Sequence, residues 1–428
     1  MLSQFTLLLV AASVVTASTP HPLYERQSRT YPEPLKVGPQ PLQVWIDTYN
    51  QAKAAGKIPS FAPATLSGGQ PAYASGVDTG EKGVCSWTLA HCFTTNKTGA
   101  YDIENAPDGH VGISFDDGPT PASPELYKFL QSKKLAATHF FIGSNIVNNP
   151  DIFDQAVKSG GHIAVHTWAH KLMTTLTDMQ VLGELGWTIQ IIYDRAGVVP
   201  RYWRPPYGDI DNRVRAIAKE VFGLEHAVIW NHDTNDWCLS EGGGSSCPAS
   251  DFTPSTDADL DKKLNGFYNG PKSPGLMILE HEVTSRSIGA FMRTFPTLIS
   301  KGWIPQSIPD LFSQSWYLNA AGPSDTPTKG FIVGSGDVPA VNNAAVNAST
   351  SAASAAAGRS SSTSLITQTR SSAASSSAAA SRTLNQGTAT AAAQAAASSK
   401  TTSGAATLSS SIFFPVSLII LASFRLLN

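Results

Sequence analysis

The sequence predicts an α/β fold in which parallel strands alternate with helices. From His110 onward, short apolar runs (HVGISF, THFFI, HIAV) are separated by helix-like segments (PELYKFLQSKK, PDIFDQAVKSG). This βαβα order indicates a parallel sheet, because parallel neighbours need crossover connections. About seven such units suggest a distorted (β/α) barrel. Periodicity alone does not separate a barrel from an open doubly wound sheet.

The later elements follow the same order. A long helix around Asp178 to Arg195 is followed by the RYWR strand, the helix DNRVRAIAKEVFG, the AVIW strand, the helix DADLDKKLNGFY, the GLMILE strand and a helix from Arg286 to Ser300. Each strand is a short apolar run, and each helix is longer and mixes apolar with charged residues. The pattern extends the alternation to the end of the predicted domain, residues 109–310.

The placement of polar residues favours the barrel. They follow successive strands: Asp116 and Asp117 the first, His166 and His170 the third, Arg204 the RYWR segment, Asp236 the AVIW strand and His281 the LMILE run. In a barrel the carboxyl ends of all strands converge on one face, which is where barrel active sites lie. We therefore expect these side chains to form one site.

The N-terminus reads as a signal peptide followed by a capping segment. Residues 1–17 contain an apolar run from Phe5 to Val15 and then small residues ending at Ala17, as a signal peptidase requires. The run is too short for a bilayer span of roughly 20 residues. We expect residues 18–108 to wrap and cap the barrel, with one helix in VWIDTYNQAKAAGKIPS. Removal of a pro-segment near Tyr24 to Arg29 is an alternative.

The C-terminus reads as a stalk and an anchor signal. Residues 320–403 are rich in Ser, Thr and Ala, a composition that suits a glycosylated stalk. Residues 404–428 end in an apolar tail without a charged flank, which predicts a GPI-attachment propeptide, with a transmembrane tail as the alternative. The candidate attachment residues are Ser398, Ser399, Ser403 and Gly404.

Composition narrows the class of protein. The chain has 30 Lys plus Arg against 32 Asp plus Glu, a net charge of −2, so we expect no nucleic-acid partner. Only 14% of its residues are charged, against roughly 25% in ordinary soluble proteins. Together with the two terminal signals, this predicts passage through the secretory pathway to the outer face of the plasma membrane and the cell wall. We expect a monomer.

Cysteines and glycosylation acceptors fit a secreted chain. Cys85, Cys92, Cys238 and Cys247 allow three pairings, of which we favour the two local ones, Cys85 with Cys92 and Cys238 with Cys247. Asn96-Lys-Thr and Asn347-Ala-Ser are N-glycosylation acceptors.

Two histidines and two aspartates suggest a catalytic metal site. His166 and His170 have the i, i+4 spacing that places two imidazoles on one side of a helical turn. Asp117 supplies a third ligand and leaves positions open for water and substrate. The adjacent Asp116 can then accept a proton from water. A simple turn is the alternative interpretation of Asp-Asp-Gly-Pro.

Five motifs in order carry a family resemblance. SFDDGP, HTWAH, RPPYGD, DTNDW and ILEHE together resemble the NodB-homology domain of polysaccharide deacetylases, carbohydrate esterase family 4. With its signal peptide, stalk and anchor signal, the chain is most similar to fungal GPI-anchored chitin deacetylases. The resemblance implies hydrolysis of N-acetyl groups of chitin, giving chitosan and acetate, in cell wall modification. It also implies one divalent metal, zinc in most members, with cobalt or manganese as alternatives.

The resemblance implies a role for each motif residue. Asp116 would be the general base; Asp117, His166 and His170 the metal ligands; Arg204 the partner of Asp116; Tyr207 a backbone N–H donor to the oxyanion; His281 the general acid; Asp236 the group that holds His281 and raises its pKa; and Trp237 and Leu279 the lining of an acetyl pocket.

Two other functions stay open. The same metal and base would serve an O-deacetylase of xylan, mannan or another wall polysaccharide, since an ester needs less help from an acid. The third hypothesis is a catalytically inactive protein that binds chitin in the wall. The intact set of base, acid and metal ligands argues against it.

Overall fold

The computed structural model describes residues 29–94, 101–247, 253–323 and 325–336. The signal peptide, Asn96, Asn347, the GPI-attachment candidates and most of the stalk lie outside the described residues. Of the helices within those ranges, none combines the length and hydropathy that crossing a bilayer demands.

Strands and helices alternate along the described chain. The strands are β1 (Thr65–Ser67), β2 (Gln70–Ala72), β3 (Tyr101–Ile103), β4 (His110–Gly112), β5 (Ser114–Gly118), β6 (Thr138–Phe141), β7 (His162–Val165), β8 (Tyr202–Trp203), β9 (His226–Val228), β10 (His232–Asp233), β11 (Leu276–Leu279) and β12 (Ile304–Gln306). The helices are α1 (Gln43–Ala54), α2 (Trp87–Ala90), α3 (Ser123–Lys133), α4 (Gly143–Asn148), α5 (Pro150–Lys158), α6 (Asp178–Ala196), α7 (Asn212–Phe222), α8 (Asp257–Tyr268), α9 (Ser285–Ser300) and α10 (Ile308–Leu311).

Strands β3 to β12 form two parallel sheets. One has the order β3-β9-β8-β7-β6-β5 and the other the order β10-β11-β4-β12, and every neighbouring pair in them is parallel. β1 and β2 form a separate antiparallel hairpin. The parallel α/β class predicted from the sequence is confirmed.

The two sheets are connected on both sides. At one side Asp116 of β5 forms a parallel bridge with His281, just after β11. At the other side, only residues 229–231 separate β9 of the first sheet from β10 of the second. The two parallel sheets thus meet at the β5–β11 contact, which lies at the carboxyl ends of both strands.

Helix α6 provides the surface on which the N-terminal segment packs. It begins with a capping box between Thr177 and Gln180, and its two interior glycines lie under that segment. A Cβ on Gly183 would lie 1.8 Å from the carbonyl oxygen of Pro39, and one on Gly186 would lie 2.5 Å from the ring of Trp45. Only glycine permits approach this close.

The packed part of the chain extends past residue 320, where the sequence placed the start of the stalk. The indole N–H of Trp45 donates to the carbonyl oxygen of Val333 at 2.8 Å, and Val333 is 3% exposed. Thr48 donates to the carbonyl oxygen of Gly334 at 2.7 Å. Residues up to Gly336 therefore belong to the fold, since α1 holds them.

Two disulfides close short loops. Cys85 is bonded to Cys92 and Cys238 to Cys247, which is the local pairing favoured from the sequence. The first loop precedes β3, and the second directly follows the 3₁₀ turn Asp236–Cys238. Each disulfide thus lies beside a segment that carries or contacts predicted site residues.

Candidate active site

Three of the predicted metal ligands meet at the carboxyl ends of β5 and β7. The Oδ1 atom of Asp117 lies 3.3 Å from the Nε2 atom of His166 and 3.3 Å from that of His170. One ligand atom from each residue lies within 4.8 Å of the other two. Sheet pairing explains the meeting, because β5 and β7 both flank β6 and end at the same edge.

The protonation of these side chains suits a cation. His166 donates its Nδ1 proton to the carbonyl oxygen of Arg204 at 2.7 Å, so its Nε2 atom presents a lone pair to the site. Burial lowers the pKa of His170 to about 4, so this imidazole is neutral at pH 7. Within the described chain, Asp117 Oδ1 accepts no hydrogen bond.

The Nε2 atoms of His166 and His170 therefore face the Oδ1 atom of Asp117, which has no hydrogen-bond partner among the described residues. One carboxylate with two imidazoles is a set that divalent cations such as zinc accept. The residues present fit the metal that the sequence predicted.

His166 and His170 lie on a loop. The helical turn that the sequence predicted for this pair is therefore wrong. Thr167 has φ 65° and His170 has φ 51°, and both values belong to the left-handed region. The loop follows β7 directly and reverses the chain so that both imidazoles face Asp117. Spacing alone could not reveal this, because a reversed loop also brings residues four apart together.

Glu184, on α6, holds this loop and was not predicted from the sequence. Its Oε2 atom accepts hydrogen bonds from the backbone N–H groups of Trp168 and Ala169, both at 2.8 Å. Its Oε1 atom accepts one from Gly38 at 2.8 Å. An acidic residue within the apolar stretch of α6 from residue 181 to 189 is the signal that could have revealed it, since buried carboxylates require partners.

Asp116 and Arg204 form a buried ion pair beside the metal ligands. Arg204 donates from Nη1 to Asp116 Oδ1 at 2.6 Å, and the second oxygen, Oδ2, lies 3.7 Å from His166 Nε2. Arg204 also donates to Ser114 Oγ at 3.1 Å and to the carbonyl oxygen of Val228 at 3.2 Å. The guanidinium therefore occupies one carboxylate oxygen and leaves the other facing the site.

Tyr207 borders the site with an exposed ring and an unusual backbone. Its ring lies 4.6 Å from that of His170, centroid to centroid, and the residue is 57% exposed. Its φ of 60° and ψ of 10° are left-handed. Left-handed backbone conformations in residues other than glycine are common at functional sites, where the surrounding structure enforces them. A positive φ is also found at Asp117, Thr167, His170 and Asn235.

His281 and Asp236 form the other side of the site. His281 Nδ1 lies 2.6 Å from Asp236 Oδ1, and its backbone N–H donates to Asp236 Oδ2 at 2.7 Å. Burial opposes the charged imidazole, but the charge and hydrogen bond of Asp236 outweigh it and raise the pKa of His281 to about 10. The imidazole is thus protonated at neutral pH and can donate a proton.

Trp237 and Leu279 lie near Asp236 and His281 along the chain. Trp237 directly follows Asp236 in the 3₁₀ turn and is 45% exposed, whereas Leu279 is buried at the end of β11. His281 follows two residues after the end of this strand. The assignment of Trp237 and Leu279 to an acetyl pocket stays a prediction.

Comparison with known proteins gives the family of this domain. A family model described as "Polysaccharide deacetylase" matches residues 103–224. This segment is a polysaccharide deacetylase domain. The match contains Asp116, Asp117, His166, His170, Arg204 and Tyr207, and it ends before Asp236 and His281.

Two fungal proteins are similar to the deacetylase domain and its flanks. The chain is 40% identical over 287 residues to "Chitin deacetylase 3" of Cryptococcus neoformans, covering 66% of this chain and 65% of that protein. It is 36% identical over 246 residues to "Chitin deacetylase" of Amylomyces rouxii, covering 57% and 56%. The chain thus spans somewhat less than two thirds of the length of these relatives.

Among solved structures, the deacetylase domain is similar to the chitin deacetylase of the fungal pathogen Colletotrichum lindemuthianum. The similarity has a TM-score of 0.42 at 22% identity, and it covers 49% of this chain and 90% of the other.

Proposed function

We propose that this protein is a metal-dependent chitin deacetylase, which hydrolyses the N-acetyl groups of N-acetylglucosamine residues to give acetate and chitosan. The observation that carries the proposal is the free Oδ2 atom of Asp116, held by Arg204 3.7 Å from a metal ligand. The relatives named chitin deacetylase support the choice of substrate.

The reaction requires one bond to form and one to break. Water attacks the acetyl carbonyl carbon, and the Oδ2 atom of Asp116 accepts its proton. Asp117, His166 and His170 would hold a divalent metal, which would supply Lewis-acid activation of the acetyl group. The backbone N–H of Tyr207 donates to the carbonyl oxygen as negative charge develops there.

Breaking the carbon–nitrogen bond requires an acid. An amine is a poor leaving group without a proton, and His281 carries one at neutral pH because Asp236 raises its pKa to about 10. His281 donates this proton to the departing nitrogen, and Asp236 keeps the imidazole oriented. The products are acetate and the free amine of glucosamine.

Zinc is the proposed metal, since two imidazoles and one carboxylate form a set that catalytic zinc sites use. We further propose that the protein acts as a monomer at the outer face of the plasma membrane and in the cell wall, attached by a GPI anchor. This part of the proposal rests on the sequence signals of the two termini.

The test is acetate release from chitin oligomers. Asp116→Asn keeps the size of the side chain but removes the base, so the rate should fall by about 10²- to 10⁴-fold. Asp151→Asn, which alters an exposed carboxylate on α5, is the matched control and should keep the full rate. Full activity of Asp116→Asn would remove the mechanism. Equal rates on acetylated xylan oligomers would remove the assignment of chitin.

A further inference from the structure

The loop closed by the Cys85–Cys92 disulfide lies outside residues 103–224, which match the family. Nevertheless, it contacts the chain immediately after Tyr207. The backbone N–H of Trp87 donates to the carbonyl oxygen of Ile210 at 3.2 Å. The N-terminal segment therefore reaches one edge of the candidate active site.

Trp87 covers the residue that follows Tyr207. Gly208 has a φ of +68°, and a Cβ built on it would lie 2.3 and 2.4 Å from two atoms of the indole ring of Trp87. The neighbouring Thr88 donates to Asp209 Oδ1 at 2.8 Å. The loop thus contacts two consecutive residues through packing and a hydrogen bond, and it restricts how the turn can move.

The loop is itself anchored, so it can act as a support. Arg215 on α7 donates to the carbonyl oxygens of Cys85 at 2.6 Å and Cys92 at 3.0 Å. The same guanidinium pairs with Asp102 at 2.7 Å. One buried cation therefore holds both ends of the disulfide loop and ties them to α7.

Tyr207 lies in a turn that is closed by hydrogen bonds from the N–H of Gly208 to the carbonyl oxygen of Pro205 at 3.0 Å and from the N–H of Asp209 to that of Pro206 at 2.9 Å. A left-handed backbone at a residue other than glycine costs about 1 to 3 kcal/mol and persists only where the surroundings enforce it. Burial of its own ring does not do so, since Tyr207 is 57% exposed. The restriction must come from the backbone on either side, and Trp87 covers the side toward Gly208.

We propose that Trp87 is a positioning residue, which keeps the backbone N–H of Tyr207 aimed at the reacting carbonyl oxygen. The proposal rests on the proposed function, since it assigns the N–H of Tyr207 to the oxyanion. Through Trp87, it gives the N-terminal segment a role beyond capping.

The test replaces Trp87 in the full-length, metal-loaded protein. Trp87→Ala should lower kcat for acetate release from chitin oligomers by about 10- to 100-fold, because a displaced oxyanion donor weakens only the transition state. KM should change by less than about twofold, since ground-state binding is untouched. Trp87→Phe retains an aromatic ring and should recover part of kcat.

Leu89→Ala is the matched control, because Leu89 lies on the same short helix α2 with its side chain 43% exposed. It should leave kcat and KM unchanged. A rise in KM with kcat intact for Trp87→Ala would instead indicate direct substrate contact and overturn the proposal. An equal loss of kcat in Leu89→Ala would overturn it as well. If Trp87→Ala does not fold, the test uses Trp87→Phe, in which kcat should likewise fall while KM stays nearly unchanged.

A readout without substrate separates this proposal from the proposed function. Wild-type protein that releases no acetate would defeat the assignment of chitin, but crystal structures of the wild type and Trp87→Ala would still decide the positioning role. Loss of the left-handed φ at residue 207 in the variant supports the role. An unchanged Tyr207 overturns it.

Discussion

The metal-and-base half of the site and the acid half are held in place by different kinds of groups. Asp116 is fixed by Arg204, a buried guanidinium that stays charged at any pH at which the protein works. His281 is fixed by Asp236, and this pair depends on a proton that His281 can lose. The position of Asp116 therefore depends on a permanent charge, whereas the position of His281 depends on a pair that titrates.

The difference suggests a division of tasks between the halves. Attack on the acetyl carbonyl requires the metal ligands and Asp116 whether the substrate is an amide or an ester. Only an amide also needs a proton donor at the leaving atom. The base half should thus determine whether any reaction occurs, and the acid half should determine which acetyl groups react and at which pH.

The largest effect should come from removing a metal ligand. His170→Ala should lower acetate release by about 10³-fold or more on both chitin and acetylated xylan oligomers, since Lewis-acid activation is worth several kcal/mol. The measurement pairs the rates with metal content by mass spectrometry. His110 lies at the amino end of β4 and thus away from the site. The control variant His110→Ala should therefore retain the wild-type rates and metal content. A normal rate in metal-free His170→Ala would contradict the role of this half.

Removing the acid should separate the two substrates. His281→Ala should slow chitin oligomer deacetylation by about 10²- to 10⁴-fold, because the amine must leave with a proton. Hydrolysis of an acetate ester by the same variant should slow much less. The ratio of the two rates is the measurement. Equal losses of rate on the amide and on the ester would mean that both reactions need His281. That result would contradict the proposed difference between the two halves of the site.

The smallest effect should be a shift along the pH axis. His281 acts as an acid only below its pKa, which Asp236 raises to about 10. Asp236→Asn removes that charge, so the alkaline limb of the kcat profile on chitin oligomers should move to lower pH. Rates from pH 6 to 10 would show it, and an unmoved limb would contradict the pairing.

The same pair should contribute to folding stability with a defined sign. Because the folded pKa of His281 lies above its unfolded value of about 6.5, the folded state binds the proton more tightly. This contribution is complete below about pH 6.5 and declines as pH rises toward 10. In Asp236→Asn, unfolding free energy should therefore depend less on pH across this range.

Sequence patterns were sufficient for elements whose own residues determine them. The DADLDKKLNGFY segment was predicted as a helix, and α8 spans the same residues, Asp257–Tyr268. The metal ligands and Asp116 were also identified as a group, because they follow strands whose carboxyl ends must converge. Their catalytic roles stay predictions until the variants are measured.

Contacts between distant segments were beyond such patterns. The left-handed loop at His170 depends on Glu184, which reaches it from a later helix. The support that Trp87 gives to Gly208 joins residues more than 100 positions apart. Neither local propensity nor spacing encodes which surfaces meet, so both features could be seen only in the fold.

The buried carboxylate of Asp194 on α6 limits where proteolysis can shorten the N-terminus. It accepts hydrogen bonds from Arg29 Nε at 3.1 Å and from the hydroxyl of Tyr31 at 2.9 Å. Cleavage before Arg29 leaves both donors in place. Cleavage after Tyr31 removes them and leaves Gln190, at 2.7 Å, to satisfy a buried charge alone, which is costly. Any proteolytic removal of the N-terminus should therefore stop before residue 29.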